Sequence, residues 1–400
     1  MNFLSDRIQN LSESATIAMS RRSREMREEG HDVISLSLGE PDFYTPELVK
    51  EAAKQAIDDN YSHYPPIPGY KDLREAISAK LKRENDLDYQ PSQIVVSTGA
   101  KQSIANIVLC LINPGDEVLL PVPYWVTYHE IVKLAGGVPV KVNTTLANDF
   151  KVTEKQLAEA CTERTRLVIF SSPCNPSGSV FDENDLAHIA RFLKNHSGIM
   201  AIADEIYEYI NFKGRHYSLA SFADIKDQVA TVNGLSKGFA MTGWRIGYMA
   251  GPQWLADACT KMQGQFTSAA SSISQRAAIA ALQANRQNIE EMKEAFLKRR
   301  NLVLELLAEV PGFENNKPEG AFYIFPRIGK LLDKRAGERK IKSSADLCFY
   351  LLEEAKVALV PGEAFGSPEN LRLSYASSEK DLREALKRIK EAVTELEDDE

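Results

Sequence analysis

Five short apolar runs set the rhythm of the chain, at residues 94–98, 117–120, 167–170, 199–203 and 229–232. Each is nearly continuous in Val, Ile, Leu, Ala or Phe, as a strand buried on both faces must be. Each is followed by small or polar residues and then by a longer stretch with helical spacing. Strands alternating with helices predict right-handed βαβ crossovers and an α/β sheet that is mostly parallel. Ligands of such sheets gather beyond the carboxyl ends of the strands. Gly99-Ala100-Lys101, Tyr124-Trp125, Cys174-Asn175-Pro176, Asp204-Glu205-Ile206-Tyr207 and Lys237 all fall there.

Other elements flank this repeat. A helix is predicted over 15–29, an alternating strand from 33 that stops at Gly39, and a helix over 45–58 opened by Pro46. The loop 61–70 is stiffened by three prolines and carries three tyrosines. After Gly251 the pattern changes to long helices over 262–284 and 290–309, then strands at 320–325, 357–362 and 371–375, which read as a smaller α+β unit, and a charged helix from 380.

Lys237 brings chemistry into this pattern. It lies within Gly234-Leu235-Ser236-Lys237-Gly238-Phe239-Ala240-Met241-Thr242-Gly243-Trp244-Arg245-Ile246-Gly247. An ammonium among Gly, Phe, Met and Trp is poorly hydrated, so its pKa falls and the neutral amine becomes a nucleophile for a carbonyl. A single lysine also permits the other reading, a stem packed on the sheet with its head in water.

The stretch resembles, along its whole length, the lysine signature of the class I aminotransferases. The likeness runs from about residue 14 to 375 through Gly39-Glu40-Pro41-Asp42, Ser172-Pro173-Cys174-Asn175-Pro176-Ser177-Gly178, Asp204-Glu205-Ile206-Tyr207 and Leu371-Arg372-Leu373-Ser374-Tyr375. Cys174 is a mild departure, since Asn is often found there. The resemblance implies fold type I of the pyridoxal 5'-phosphate (PLP) dependent transferases: a seven-stranded, mostly parallel sheet flanked by helices, with a smaller α+β domain. It implies an N-terminal arm and part of the small domain at 1–45, a large PLP-binding domain at 46–288 and a C-terminal small domain at 289–400.

By that resemblance Lys237 is the catalytic lysine and carries PLP. Arg245, Ser236 and the backbone N–H groups of Ala100 and Lys101 hold its phosphate, since a glycine turn into a helix exposes donors to an anion. Trp125 stacks on the ring, and Asn175 and Tyr207 donate to its phenolate oxygen. Asp204 faces the ring nitrogen, whose proton would offset the cost of burying a carboxylate. Tyr64 reaches the phosphate of a neighbouring subunit's cofactor, which implies a homodimer. Gly39 and Arg372 take the substrate's α-carboxylate, for which a guanidinium fork is suited, and Trp125 and Asn175 also border the substrate. Cis bonds before Pro173 and Pro176 belong to the same pattern. Taken singly, Trp125 also reads as core, Asn175 as a turn former, Asp204 as a helix cap and Tyr207 as a half-buried aromatic.

Substrate choice is read from Lys101 with Ser14 and Thr16, a set resembling the bacterial subgroup of aspartate aminotransferases. There the lysine and hydroxyls meet a second carboxylate. Transfer between aspartate and 2-oxoglutarate is the expectation; prephenate or broader amino-acid specificity, or a PLP-dependent carbon–sulfur lyase, are the alternatives. Lys101 solvated and Ser14 and Thr16 as caps is the plain reading.

Composition narrows the picture further. Lys and Arg number 48 against 56 Asp and Glu, a net charge of −8, with no basic block suited to nucleic acid. Five cysteines lack C-x-x-C spacing, which argues for reduced thiols and against zinc. Dinucleotide, Walker and zincin motifs are missing, so no metal site is expected. Neither a leader at Met1 nor an apolar run of membrane-spanning length is found, and the expectation is a cytoplasmic protein with no membrane contact.

Overall fold

Every residue of Val229–Gly234 is buried, as a run without polar alternation requires. In the computed structural model, which describes residues 3–13 and 15–398, this strand lies inside a seven-stranded sheet. The strands are β1 (Ile94–Ser97), β2 (Glu117–Pro121), β3 (Val138–Val142), β4 (Thr165–Ser171), β5 (Met200–Asp204), β6 (Val229–Gly234) and β7 (Gly247–Ala250). Their order across the sheet is β1-β7-β6-β5-β4-β2-β3. Six run the same way, and β7 alone is reversed, pairing antiparallel with both β1 and β6. The reversal follows from the connection: residues 235–246 return the chain directly beside β6 without a crossover helix. β3 went unread in the sequence. It is a partly exposed edge strand containing Pro139, so it shows no continuous apolar run.

Helices cover both faces. Leu73, Ile77, Val168, Phe192 and Ala277 belong to the core on one side, and Ile104, Val118, Val232, Met249 and Leu255 to the core on the other. A third core joins Met19 and Met26 of α1 (Ala15–Glu28) to Phe296, Val303, Leu347, Leu373 and Leu386. The N-terminal helix thus packs with the C-terminal third of the chain. Beside that core a three-stranded antiparallel sheet places β10 (Leu371–Ser374) between β8 (Tyr323–Ile324) and β9 (Val360–Pro361).

Several expected bounds are corrected. The helix read over 262–284 is two helices, Gln253–Phe266 and Ser272–Gln283. Between them Ser268 turns left-handed at φ 60° and Ser271 caps the second helix through the Ser274 N–H. Clustered Ser and Thr side chains compete with the helix for its own backbone groups. The strand expected from 33 shrinks to Ile34–Ser35, parallel to Val357–Ala358, and the charged tail helix is Glu379–Thr394. The bonds before Pro173 and Pro176 are cis as expected, and so is Val122–Pro123. Among the described residues no helix is long and apolar enough to cross a membrane.

Candidate active site

The carboxyl ends of β1, β4, β5 and β6 open into a cavity of about 280 Å3. Lys237 reaches it from the loop after β6, its Nζ donating to the Gly39 carbonyl oxygen and lying 5.8 Å from the centre of the Tyr207 ring. Burial pulls its pKa down to about 8; Glu40 works against this, and Arg372 and Arg245 add to it. The expectation of a poorly hydrated lysine is met, and the amine is largely neutral at mildly alkaline pH. The loop holds two non-glycine residues left-handed, Ala240 at φ 50° and Arg245 at φ 55°. Such conformations persist only where the surroundings impose them. Here Thr45 Oγ1 donates to the Ala240 carbonyl at 2.8 Å and accepts from Trp244 Nε1 at 3.0 Å.

Asp204 ends β5, buried. Its Oδ2 accepts from the Tyr128 hydroxyl at 2.6 Å and its Oδ1 from the Ile206 N–H at 3.2 Å. Desolvation still outweighs these bonds and raises its pKa to about 6. A carboxylate so placed suits a proton-bearing nitrogen in the cavity.

An anion cradle forms where β1 meets α2 (Ala100–Leu111). Ala100 and Lys101 head the helix, where first-turn N–H groups lack intrahelical acceptors. Gly99 turns at φ 86°, and a Cβ there would lie 2.5 Å from Arg245 Nη2. Gly247 lets β7 pass against Ala100, since a Cβ would strike its backbone nitrogen. Arg245, held by the Thr242 carbonyl at 2.8 Å, and Ser236 complete the cradle.

Arg372 brings a buried cation to the cavity. It is 1% exposed, donating through Nη1 to Asn175 Oδ1 at 3.0 Å and through Nη2 to the Ser37 carbonyl at 2.6 Å, while its Nε has no acceptor. Its guanidinium stacks 4.6 Å from the centre of the Tyr323 ring. Burial lowers its pKa. Among the described residues no carboxylate pairs with it, although a buried cation without a counter-charge is costly.

Trp125 and Thr16 also line the cavity, and Lys101 stands at its mouth with Nζ 4.9 Å from the centre of the Trp125 ring. Lys101 is exposed as a residue, yet the protein around its ammonium, and then the Arg245 charge, lower its pKa. Of the residues expected here, Tyr64 is not brought in: it is 95% exposed and apart from the cavity of its own chain. Its expected contact lay across a subunit boundary. Ser14 lies outside the described residues. Sequence reasoning missed Ile17, Thr127, Tyr128, Ser171, Tyr323 and Thr242, all on the cavity wall. Tyr128 had a usable signal, being one helical turn beyond Trp125. Behind Asp204, Glu205, Glu208 and His216 draw close together, but Glu208 is ion-paired with Lys80 and Glu205 accepts from Ser218 at 2.7 Å.

Comparison with known proteins agrees with this geometry. The chain is 45% identical over 398 residues to the bifunctional aspartate aminotransferase and glutamate/aspartate-prephenate aminotransferase of Petunia hybrida, covering 98% of this chain and 83% of that one. It is 43% identical over 388 residues to the aspartate aminotransferase of Geobacillus stearothermophilus, covering 96% and 98%. The solved aspartate aminotransferase of Rhizobium meliloti shares its fold with a TM-score of 0.96 at 41% identity, covering 99% and 100%. The sequence profile named Aminotransferase class I and II matches residues 31–389, and the chain therefore belongs to the class I and II aminotransferase family.

Proposed function

We propose that the protein is a PLP-dependent aminotransferase that moves an amino group between L-aspartate and 2-oxoglutarate. The observation that carries the reading is one cavity holding both a lysine of lowered pKa and a buried arginine that no carboxylate pairs among the described residues. The residues fit PLP. Arg245, Ser236 and the first N–H groups of α2 offer a phosphate site, Trp125 a flat face, Asn175 and Tyr207 polar side chains for the phenolate oxygen, and Asp204 a buried carboxylate for the ring nitrogen. When bound, PLP draws electrons from the amino acid's Cα and so eases loss of its proton.

The chain's own groups supply the rest. Arg372 takes the α-carboxylate and, with Gly39, fixes how the amino acid lies. The neutral Lys237 amine takes the Cα proton and returns a proton on the way to the keto acid. Lys101 and Thr16 receive the side-chain carboxylate at the mouth. A second reading, in which prephenate also serves, is favoured by the name of the Petunia relative. Residues 1–45 with 289–400 are assigned to a small domain and 46–288 to a large one; the core that joins Met19 and Met26 to Phe296, Leu347 and Leu386 supports this, with Ile206, Tyr207 and Ile210 of the larger unit packing into it. The protein is assigned as a cytoplasmic homodimer, in which the exposed Tyr64 serves the partner's site.

An amino-donor panel with PLP and 2-oxoglutarate tests this, with prephenate as a second acceptor. Oxaloacetate formed from aspartate supports the reading. Pyruvate formed from cystathionine without any keto acid, and no transfer from aspartate, would replace it with a carbon–sulfur lyase.

A further inference from the structure

Tyr207 and Tyr323 meet where the large sheet faces the third core, with hydroxyl oxygens 2.7 Å apart and both side chains buried. Two hydroxyls at this distance share one hydrogen bond, so one gives its proton and only the receiver keeps a proton for another acceptor. Arg372 decides which gives. Its guanidinium lies 4.6 Å from the centre of the Tyr323 ring, and a cation beside a phenol makes its hydroxyl the better donor. Burial raises both hydroxyl pKa values and Arg372 works against the rise in each; the shared hydrogen bond raises that of Tyr207 and lowers that of Tyr323, as a donating Tyr323 requires. Gly39 closes over the Tyr323 oxygen, since a Cβ there would lie 2.7 Å away. Among the described residues Tyr207 is the one hydrogen-bond partner of the Tyr323 hydroxyl.

We propose that Tyr323 is a positioning residue: its hydroxyl donates to the Tyr207 oxygen and thereby commits the Tyr207 proton to an anionic oxygen bound in the cavity. The inference rests on the reading above, in which that oxygen is the phenolate of PLP. Linked hydroxyls polarise one another, so a Tyr207 that receives a bond also gives a stronger one. A donor at the phenolate oxygen drains charge that would otherwise hold a proton on the nearby nitrogen joining Lys237 to the cofactor. Losing that donor raises the pH at which the nitrogen gives up its proton.

The test is a pH titration of the visible absorption of the PLP-loaded protein in four forms: parent, Tyr207→Phe, Tyr323→Phe and the double variant. Tyr323→Phe raises the midpoint by about half a pH unit or more; Tyr207→Phe raises it further; the double variant matches Tyr207→Phe. An unmoved midpoint in Tyr323→Phe, with that of Tyr207→Phe raised, overturns the inference and leaves the PLP reading standing. So does an equal further rise when Tyr323→Phe is added to Tyr207→Phe. No visible band in the parent overturns both. The phenyl ring left by Tyr323→Phe still underlies Arg372, so succinate affinity stays within about twofold. A loss beyond about tenfold would show that Tyr323 acts by packing Arg372, against the inference.

Discussion

Arg372 Nη1 donates to Asn175 Oδ1 at 3.0 Å, joining the middle strand of the small sheet to the loop after β4. The bond aims a guanidinium whose Nε has no acceptor and which pairs with no carboxylate among the described residues. Arg372→Lys keeps the charge but loses the fork. Steady-state kinetics should show KM for aspartate rising about 30-fold or more, the equivalent of one or two charged hydrogen bonds. A KM equal to the parent's would mean that the α-carboxylate binds elsewhere.

Lys237 predicts a pH profile. Its amine attacks an aldehyde only when unprotonated, so cofactor capture by the apoprotein should speed up with pH and level off above about 8. A midpoint near 10.5, the ordinary lysine value, would contradict the burial argument. Between about 8 and 10.5 the folded chain binds fewer protons than the unfolded one. This group's contribution to stability therefore rises with pH across that window and is least favourable below it. Lys237→Ala should capture no PLP covalently and show no steady-state transamination.

If the proposed function holds, Lys101 should separate dicarboxylic from monocarboxylic substrates. With its pKa lowered by the surrounding protein and Arg245, it gains most from a second carboxylate that restores its charge balance. Lys101→Ala should reduce kcat/KM for aspartate about 100-fold while sparing alanine and phenylalanine. Equal losses on all three would confine Lys101 to the phosphate cradle.

Gly99 is constrained twice, by φ 86° and by Arg245 Nη2 lying 2.5 Å from the site of a Cβ. Gly99→Ala must strain the turn and push the guanidinium aside. PLP affinity, measured by equilibrium titration, should fall about tenfold or more. Parent-like affinity would show that Arg245 does not hold the phosphate.

The subunit arrangement is open to complementation. In a heterodimer of a Tyr64→Phe chain and a Lys237→Ala chain, one site has both residues intact and the other lacks both. Purified heterodimer should keep about half the parental activity. If Tyr64 serves its own chain, both sites are damaged and activity falls to about half that of Tyr64→Phe alone.

How far the sequence reveals this site follows from two kinds of residue. Lys237, Asp204 and Asn175 follow apolar strands, and the end of a buried strand in an α/β sheet is a place that pattern alone identifies. Tyr128 and Tyr323 instead meet Asp204 and Tyr207 across 76 and 116 positions of sequence. Apolar spacing on its own element marks Tyr323 only as core, and Tyr128 is found only through its place one helical turn beyond Trp125. The reversal of β7 is equally hidden, because an apolar run carries no mark of its direction. The break at 267–271 does carry a mark, a cluster of hydroxyl residues that compete for the helix's backbone groups.

The contact between Gly247 and Ala100 binds the base of the helix bearing the anion cradle to the strand that follows Arg245. Asp204, at the end of β5, and Lys237 and Arg245, in the loop between β6 and β7, are thus carried by neighbouring strands of one plate, like a fixed jaw. Arg372 rides on β10, in the smaller sheet, and under the proposed division belongs to the opposite jaw. Any hinge motion between the two changes the grip on whatever spans them while leaving distances within the fixed jaw unaltered. Residence times should separate accordingly: a passing acid comes and goes with the jaws, and a resident group anchored on the plate stays through many cycles.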